Sequence, residues 1–346
     1  MKGDFQLGEF GIFTLGKNGQ QNIYMINFME KKSLAIVISL AKSHIHYCKA
    51  LIASIEHYGI ENPVIVIKDG DFKINSIDKK QNVTVLSTKE INTYHSFKLT
   101  GLLTKINICF LPEMGYAYDY YMHMDADSII TSSDFKTKLK NLKNDFYIFQ
   151  GKAIDYSDEK LAKTFNNFAF VPEAFSNAKF NLKHLWYFSS GHFAMNLLFI
   201  EHLKTYLKDY RNELNTGFSK QTRFKFGDQG FFNFVVNLLA LQKIIQVKKI
   251  NSGIYGKEKE DNYKTLTINT VVEKINTEVD FIHYTGPSRK PFLKAHNFGE
   301  ILYFFNRKFY NNGFMFYIDN QLRITRYYYQ FVKKRIRLKI EKKFNK

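Results

Sequence analysis

The sequence predicts an α/β fold with a mostly parallel central sheet flanked by helices. Three observations carry that expectation. Short β-branched runs stop at turn-forming residues, a helical apolar stripe separates the first two of them, and that strand–helix–strand stretch spans about 35 residues, the size of one βαβ unit.

SLAIVISLA (33–41) and NPVIVIKDG (62–70) read as the first two buried strands. Between them Tyr47, Leu51, Ile52, Ile55 and Tyr58 recur at helical spacing, with Gly59 as a natural stop. NVTVLST (82–88) supplies a third strand. Leu99, Leu102, Leu103, Ile106 and Phe110 form a second helical stripe, with Lys98 and Lys105 on its more polar side. That stripe ends at Leu111-Pro112, and DYYMHM (119–124) follows as a fourth strand. Beyond it the strands are more mixed.

The chain has 346 residues, of which 45% are hydrophobic and 24% charged, which excludes a mainly disordered protein. Two cysteines, Cys48 and Cys109, exclude a disulfide scaffold and a four-cysteine zinc site, and their apolar neighbours suit a reducing compartment. The N-terminal residues hold no apolar run of signal-peptide length. The most apolar stretch, FFNFVVNLLALQKIIQ, is interrupted by Asn233, Asn237 and Gln242, too soon for a membrane span. A cytoplasmic protein, or one peripheral on the inner face of a membrane, is expected.

The net charge of +18 points to anionic partners, and it is unevenly spread. Residues 323–346 contain ten basic residues and one acid, Glu341, so half of the excess lies in the last 24 positions. Tyr327, Tyr328, Tyr329, Phe331, Val332, Ile336, Leu338 and Ile340 are interleaved with those bases. Aromatics beside Lys and Arg suit a segment lying on an anionic membrane surface. The same composition would serve RNA, but no nucleic-acid motif accompanies it. The expected division is an N-terminal extension of unknown role (1–32), a catalytic domain (33–300) and a basic aromatic membrane-associating segment (301–346).

The fourth strand runs into Asp125-Ala-Asp127. Carboxylates two residues apart at a strand end can point the same way and hold a divalent cation, Mn2+ or Mg2+, that bridges nucleotide phosphates. An Asp-x-Asp is weak evidence alone. Asp69-Gly70-Asp71 has the same spacing and reads as a turn, because a glycine and a polar loop follow. Asp125 and Asp127 differ by abutting an apolar strand, where unpaired charges are costly. His123 shares the strand face of Asp125 and reads first as a packed core histidine.

YYMHMDADSIITSSD resembles the donor-site segment of glycosyltransferase family 8, sugar-nucleotide-dependent enzymes of the GT-A fold. FSSGHFAMN (188–196), FGDQGFFN (226–233) and FIHYTGPSRKPF (281–292) are similar to three later family segments, in the family's order. The bacterial lipopolysaccharide α-galactosyltransferase branch is the nearest pattern, and the likeness covers roughly residues 34–295. It implies a metal-dependent, retaining transfer of a hexose, galactose or glucose, from a UDP-sugar to a glycan or glycolipid acceptor in surface-glycan synthesis. By resemblance His283 completes a metal set with Asp125 and Asp127. Gly286 and Lys290 would approach the diphosphate, as would Lys105, and Asp228 with Gln229 would lie beside the transferred sugar. Asp228-Gln229 would equally suit the N-terminus of the helix that follows. One extra residue after Gly286 makes Arg289 an alternative to Lys290. Two further departures concern the nucleotide: Ala41-Lys42-Ser43-His44 lacks the family's acidic residue, and Ser189 replaces its asparagine. The competing reading, a basic nucleic-acid-binding protein on an α/β scaffold, would leave Asp125 and Asp127 without a role.

Overall fold

A computed structural model describes residues 33–346 except 75, 173–179, 181–182, 216–223, 226, 251, 256–266, 270–273, 277–278, 285–297, 312 and 345–346; before residue 33 it describes only 12–13 and 24–25. The chain divides into two units, Met1–Ser33 and Leu34–Lys346. In the first, β1 (Ile12–Phe13) and β2 (Tyr24–Met25) pair antiparallel, Ile12 opposite Met25.

The second unit begins with β3 (Leu34–Ala41), α1 (Ile45–His57), β4 (Val64–Asp69), β5 (Val83–Ser87) and the short α2 (Thr88–Ile91). A 3-10 helix, Gly101–Phe110, leads to β6 (Tyr120–Asp125), β7 (Ser128–Ile130) and α3 (Asp134–Lys140). Next come β8 (Phe146–Ile148), β9 (Gly151–Ile154), α4 (Glu159–Phe168), β10 (Leu185–Phe188) and β11 (His192–Asn196). Two helices, α5 (Leu197–Asp209) and α6 (Arg211–Asn215), precede α7 (Asp228–Leu241), β12 (Val247–Lys249) and β13 (Gly253–Tyr255). The paired β14 (Thr267–Asn269) and β15 (Lys274–Asn276), then β16 (Phe281–His283), α8 (Gly299–Phe309) and α9 (Gly313–Phe344) complete the described elements.

The architecture is α/β, as the sequence predicts. The main sheet has the order β12-β8-β11-β6-β3-β4-β5. Strands β5, β4, β3 and β6 run parallel, while β11 runs antiparallel to both of its neighbours. Alternate side chains of β3 feed two cores, as a pleated strand requires. Ile36, Ile38 and Leu40 join α1, α3 and α8 on one face; Ala35 and Val37 join the 3-10 helix, α5 and α7 on the other. The four early strands therefore match their sequence signals, but the second stripe forms a 3-10 helix. Its tighter turn leaves Leu102 exposed while Leu103, Ile106 and Phe110 are buried.

α7 is largely buried and apolar except along the face that carries Asn233 and Asn237. Its two asparagines act as a substitute strand partner for β10. Asn233 donates to the Phe188 carbonyl and accepts from its N–H, at 2.9 and 3.1 Å. Asn237 does the same for Trp186, at 2.9 and 2.7 Å. Four-residue spacing on the helix matches two-residue spacing on the strand, so an otherwise open edge is satisfied.

The packed body continues past the boundary expected near Glu300. Ile301, Leu302, Phe305 and Phe309 of α8 and Phe316 of α9 are buried in the core that holds β3 and α1. Lys49 of α1 is itself buried, and it donates to Tyr310 and, at 3.1 Å, to Asp319 of α9. Replacing Asp319 by Ala leaves a buried ammonium with one partner fewer, so a loss of about 1–3 kcal/mol is expected. Urea unfolding checks this: the midpoint falls at unchanged slope, and an unchanged midpoint would show that Lys49 does not anchor α9.

Candidate active site

In an open α/β sheet, ligands bind beyond the carboxyl ends of the strands where the strand order reverses. Here the order runs outward from β3 to β4 and β5, then returns to β6 on the other side of β3. A cleft of about 290 Å3 lies at that point, lined by Ala41, His44, Asp69, Thr104, Lys105, Asp125 and Asp127 among others. The parallel register sets Ser39 beside Asp125, so the ends of β3 and β6 open together.

Asp125 and Asp127 sit at the turn between β6 and β7. β16 pairs antiparallel with β7, His283 opposite Ser128, and the Tyr284 N–H donates to the Asp127 carbonyl at 2.7 Å. That pairing delivers the His283 ring to the carboxylates. Its Nε2 lies 3.5 Å from Asp125 Oδ2 and 3.4 Å from Asp127 Oδ1. One ligand atom from each of the three residues falls within 4.8 Å of the others. Gly191 makes the approach possible: a Cβ there would sit 2.8 Å from Asp125 Oδ2 and 2.9 Å from His283 Cε1. Two carboxylates and one imidazole, kept close by a glycine that nothing larger could replace, fit a divalent ion such as Mn2+.

Lys105 departs from the helical period, though not from the family resemblance that puts it near the diphosphate. The sequence puts it on the polar side of its helix, whereas it is buried and points inward. Its Nζ lies 3.1 Å from Asp125 Oδ1 and 3.0 Å from Asp228 Oδ2, and donates to the Ser190 carbonyl at 3.2 Å. The 3-10 winding rotates it off the face that a 3.6-residue period assigns, and two carboxylates make the buried charge tolerable. Burial works against the ammonium, yet Asp125 and Asp228 hold its pKa above the ordinary lysine value. Burial likewise opposes ionisation of Asp125, but Lys105 and then His283 outweigh it and hold the carboxyl well below the usual range. For His283 burial disfavours the charged ring, and Asp127 and Asp125 reverse that, raising it to about 9.

Asp228 opens α7 and is buried, which pushes its carboxyl up against the opposing pull of Lys105 and a hydrogen bond from the Ser190 hydroxyl. Gln229 is next to it, its side-chain amide donating to the Phe168 carbonyl at 2.7 Å. Gly286, Arg289 and Lys290 lie outside the described residues. His123 is wholly buried, stacked on Phe193 with ring centroids 5.0 Å apart, with Nε2 3.1 Å from Ser39 Oγ and 4.0 Å from Asp125 Oδ1. Burial and the nearby Lys105 depress it to about 3, so it stays neutral.

Three residues escape sequence reasoning. Asp69 reads as a turn residue but ends β4 inside the cleft, where it accepts the Gly101 N–H at 3.0 Å. Gln150 and His192 form a buried polar group behind His283. Gln150 Oε1 lies 3.1 Å from His192 Nδ1 and 3.3 Å from His283 Nδ1, and His192 Nε2 lies 2.6 Å from Ser128 Oγ. The available signal was a histidine in the Gly191 segment, within a run otherwise apolar.

No family profile matches the chain, and no curated protein does. Solved structures are similar to it. The galactosyltransferase LgtC, in complex with donor and acceptor sugar analogues, is 15% identical over 80% of this chain and 95% of its own, at a TM-score of 0.47. The bifunctional glycosyltransferase WbbM is 16% identical over 86% of this chain and 54% of its own, at 0.49. The glycosyltransferase GlyE of Streptococcus pneumoniae is 12% identical over 87% of this chain and 64% of its own, at 0.43. At such identities side-chain roles do not carry across, and the chemistry is read from this chain's own residues.

Gly191→Ala is expected to push the Asp125 carboxylate and the His283 ring apart. Mn2+ binding should weaken about tenfold or more, the scale of other disturbances around metal ligands, while the crowding costs the metal-free fold about 1–3 kcal/mol and lowers its thermal midpoint without abolishing folding. Titration with Mn2+ beside a melting curve checks this, and unaltered binding would refute the close packing.

Proposed function

We propose that the protein is a metal-dependent, retaining glycosyltransferase of the family 8 type, moving galactose or glucose from a UDP-sugar to a glycan or glycolipid acceptor of the cell surface. The observation that carries the reading is the convergence of Asp125, Asp127 and His283 at the mouth of the switch-point cleft, with Lys105 and Asp228 immediately behind. The nucleic-acid reading leaves that convergence without a purpose.

Transfer breaks the bond between the anomeric carbon and the diphosphate oxygen and forms one to an acceptor hydroxyl. Negative charge grows on the departing diphosphate, and a divalent ion, when bound, supplies the electrostatic stabilisation of that charge. Asp125, Asp127 and His283 would hold the ion. Lys105 keeps Asp125 ionised and adds fixed positive charge near the leaving group, in a position that costs no reorganisation during reaction. Asp228 and Gln229 would orient the transferred sugar, Gly286 would let the backbone approach the diphosphate, and Lys290, or Arg289 in its place, would pair with the leaving charge. The UDP moiety would extend along the cleft past Ala41, His44 and Asp69.

Among the described residues no helix is long and apolar enough to cross a membrane. α9 instead exposes Tyr327, Tyr328, Tyr329, Val332 and Ile336 along with Arg326, Lys333, Arg335 and Arg337. We read residues 323–346 as a contact with the anionic inner face of a membrane, worth ~1 kcal/mol for each basic residue near the surface.

Release of UDP from UDP-galactose and UDP-glucose, with and without Mn2+, tests the activity. Turnover is expected to require the metal and to fall by about 100-fold or more in Asp127→Ala, consistent with the loss of a main electrostatic contributor. Turnover of neither donor with Mn2+ and a glycolipid extract present would sink the proposal. Deleting residues 323–346 should abolish sedimentation with phosphatidylserine-containing vesicles while UDP release in detergent persists; retained sedimentation would remove the membrane role from this segment.

A further inference from the structure

The buried group behind His283 does more than fill space. Gln150 and His192 are both almost wholly inaccessible, and neither has a role in the transfer chemistry just described. Within this cluster the Gln150 Oε1 is engaged by both rings, while its Nε2 has no hydrogen-bond partner among the described residues, so the amide acts on the site through its oxygen.

We propose that Gln150 is a positioning residue that fixes which nitrogen of His283 faces Asp125 and Asp127. A carbonyl oxygen only accepts. With Gln150 Oε1 at 3.1 Å from His192 Nδ1 and 3.3 Å from His283 Nδ1, both rings carry hydrogen at Nδ1. His192 Nε2 is then an acceptor, and the Ser128 hydroxyl at 2.6 Å is its donor. His283, with Nδ1–H committed to Gln150, is left with Nε2 as the nitrogen between the two carboxylates, so a cation arriving there takes the place of the Nε2 proton and meets the ring's lone pair.

The arrangement is held from several sides. Ser128 is the residue paired with His283 across the β7–β16 ladder, so the ring, its ladder partner and the supporting hydroxyl share one register. His192 stacks on Phe281 with centroids 4.2 Å apart and meets His283 edge-on at 4.6 Å, which leaves the His283 ring little freedom to turn. The opposite orientation of the Gln150 amide would donate to both Nδ1 atoms. In His283, Nδ1 would then be the acceptor and Nε2 the nitrogen that keeps its hydrogen in the neutral ring, so the proton that a cation must displace would be held in place. The amide's direction therefore decides whether the site can bind metal.

This inference rests on the metal reading above, and one titration separates the two. Mn2+ is titrated into wild type, Asp127→Ala, Gln150→Leu and Gln150→Glu without any sugar donor, and free Mn2+ is followed by electron paramagnetic resonance. Wild type is expected to bind and Asp127→Ala to fail. Q150L should bind about 10–100-fold more weakly, the usual cost of losing a partner behind a ligating histidine. Q150E, whose carboxylate also only accepts, should retain wild-type affinity or better. Each variant's melting curve in chelator confirms folding, and Gln150→Ala replaces Q150L if that variant does not fold.

Wild-type affinity in the acceptor-less variant would overturn the role of Gln150 while leaving the metal site standing. Loss in Q150E equal to that in Q150L would also overturn it, because the amide would then act as a donor. No binding by wild type would overturn the metal reading, and this inference with it.

Discussion

Gathering two buried carboxylates, Asp127 and Asp228, and the partly buried Asp125 around two cationic groups is the constraint on which this structure turns. Asp125, Asp127 and Asp228 face one ammonium, Lys105, and one imidazole, His283. None of these groups would be tolerated alone in so dry a place. Each is tolerable because the others are present. With His283 charged the cluster still carries an excess negative charge; a divalent ion in place of its proton would balance it. A surplus of buried anions at the open end of a sheet is thus both a stability problem and an invitation to a cation.

The fold solves that problem through strand pairing. β6 places Asp125, the turn after it places Asp127, and β7 leaves the main sheet to pair with β16. β11 lies antiparallel to β6 on the other side and brings the Gly191 carbonyl to the Asp125 N–H at 2.9 Å. Because strand side chains alternate, a slip of one residue in either ladder would turn His283 or His192 away from the site. The apolar content of these strands is therefore what enforces the polar geometry. The hydrophobic partition of β3 into two cores, the largely buried α7 and the asparagine edge partners serve the same end: they hold the ladders in register.

α9 follows a different logic. Its start is tied to the body by Phe316 and by the Lys49–Asp319 ion pair, whereas Tyr327, Tyr328, Tyr329, Val332 and Ile336 further along are exposed beside Arg326, Lys333, Arg335 and Arg337. One helix thereby joins a packed anchor to an amphiphilic surface.

By itself the sequence determined the early strands, α1, the paired carboxylates at the end of β6 and the concentration of charge at the C-terminus. Those features are local: β-branched runs, helical spacing and Asp-x-Asp are each legible within a dozen residues. Four ordered motifs also brought His283 and Asp228 into the reckoning through their resemblance to a family. Tertiary structure alone decided the rest. Lys105 turns inward because its helix winds as 3-10 and two distant carboxylates receive it, and no local period reports either fact. Asp69 enters the cleft because β4 ends level with β3, while the sequence around it has every mark of a turn. Gln150 and His192 meet His283 only through the pairing of β11 with β6 and β8 and of β16 with β7. Hydrogen bonds between residues so far apart in the chain depend on register, and register is fixed by the packing of the whole sheet rather than by any segment within it.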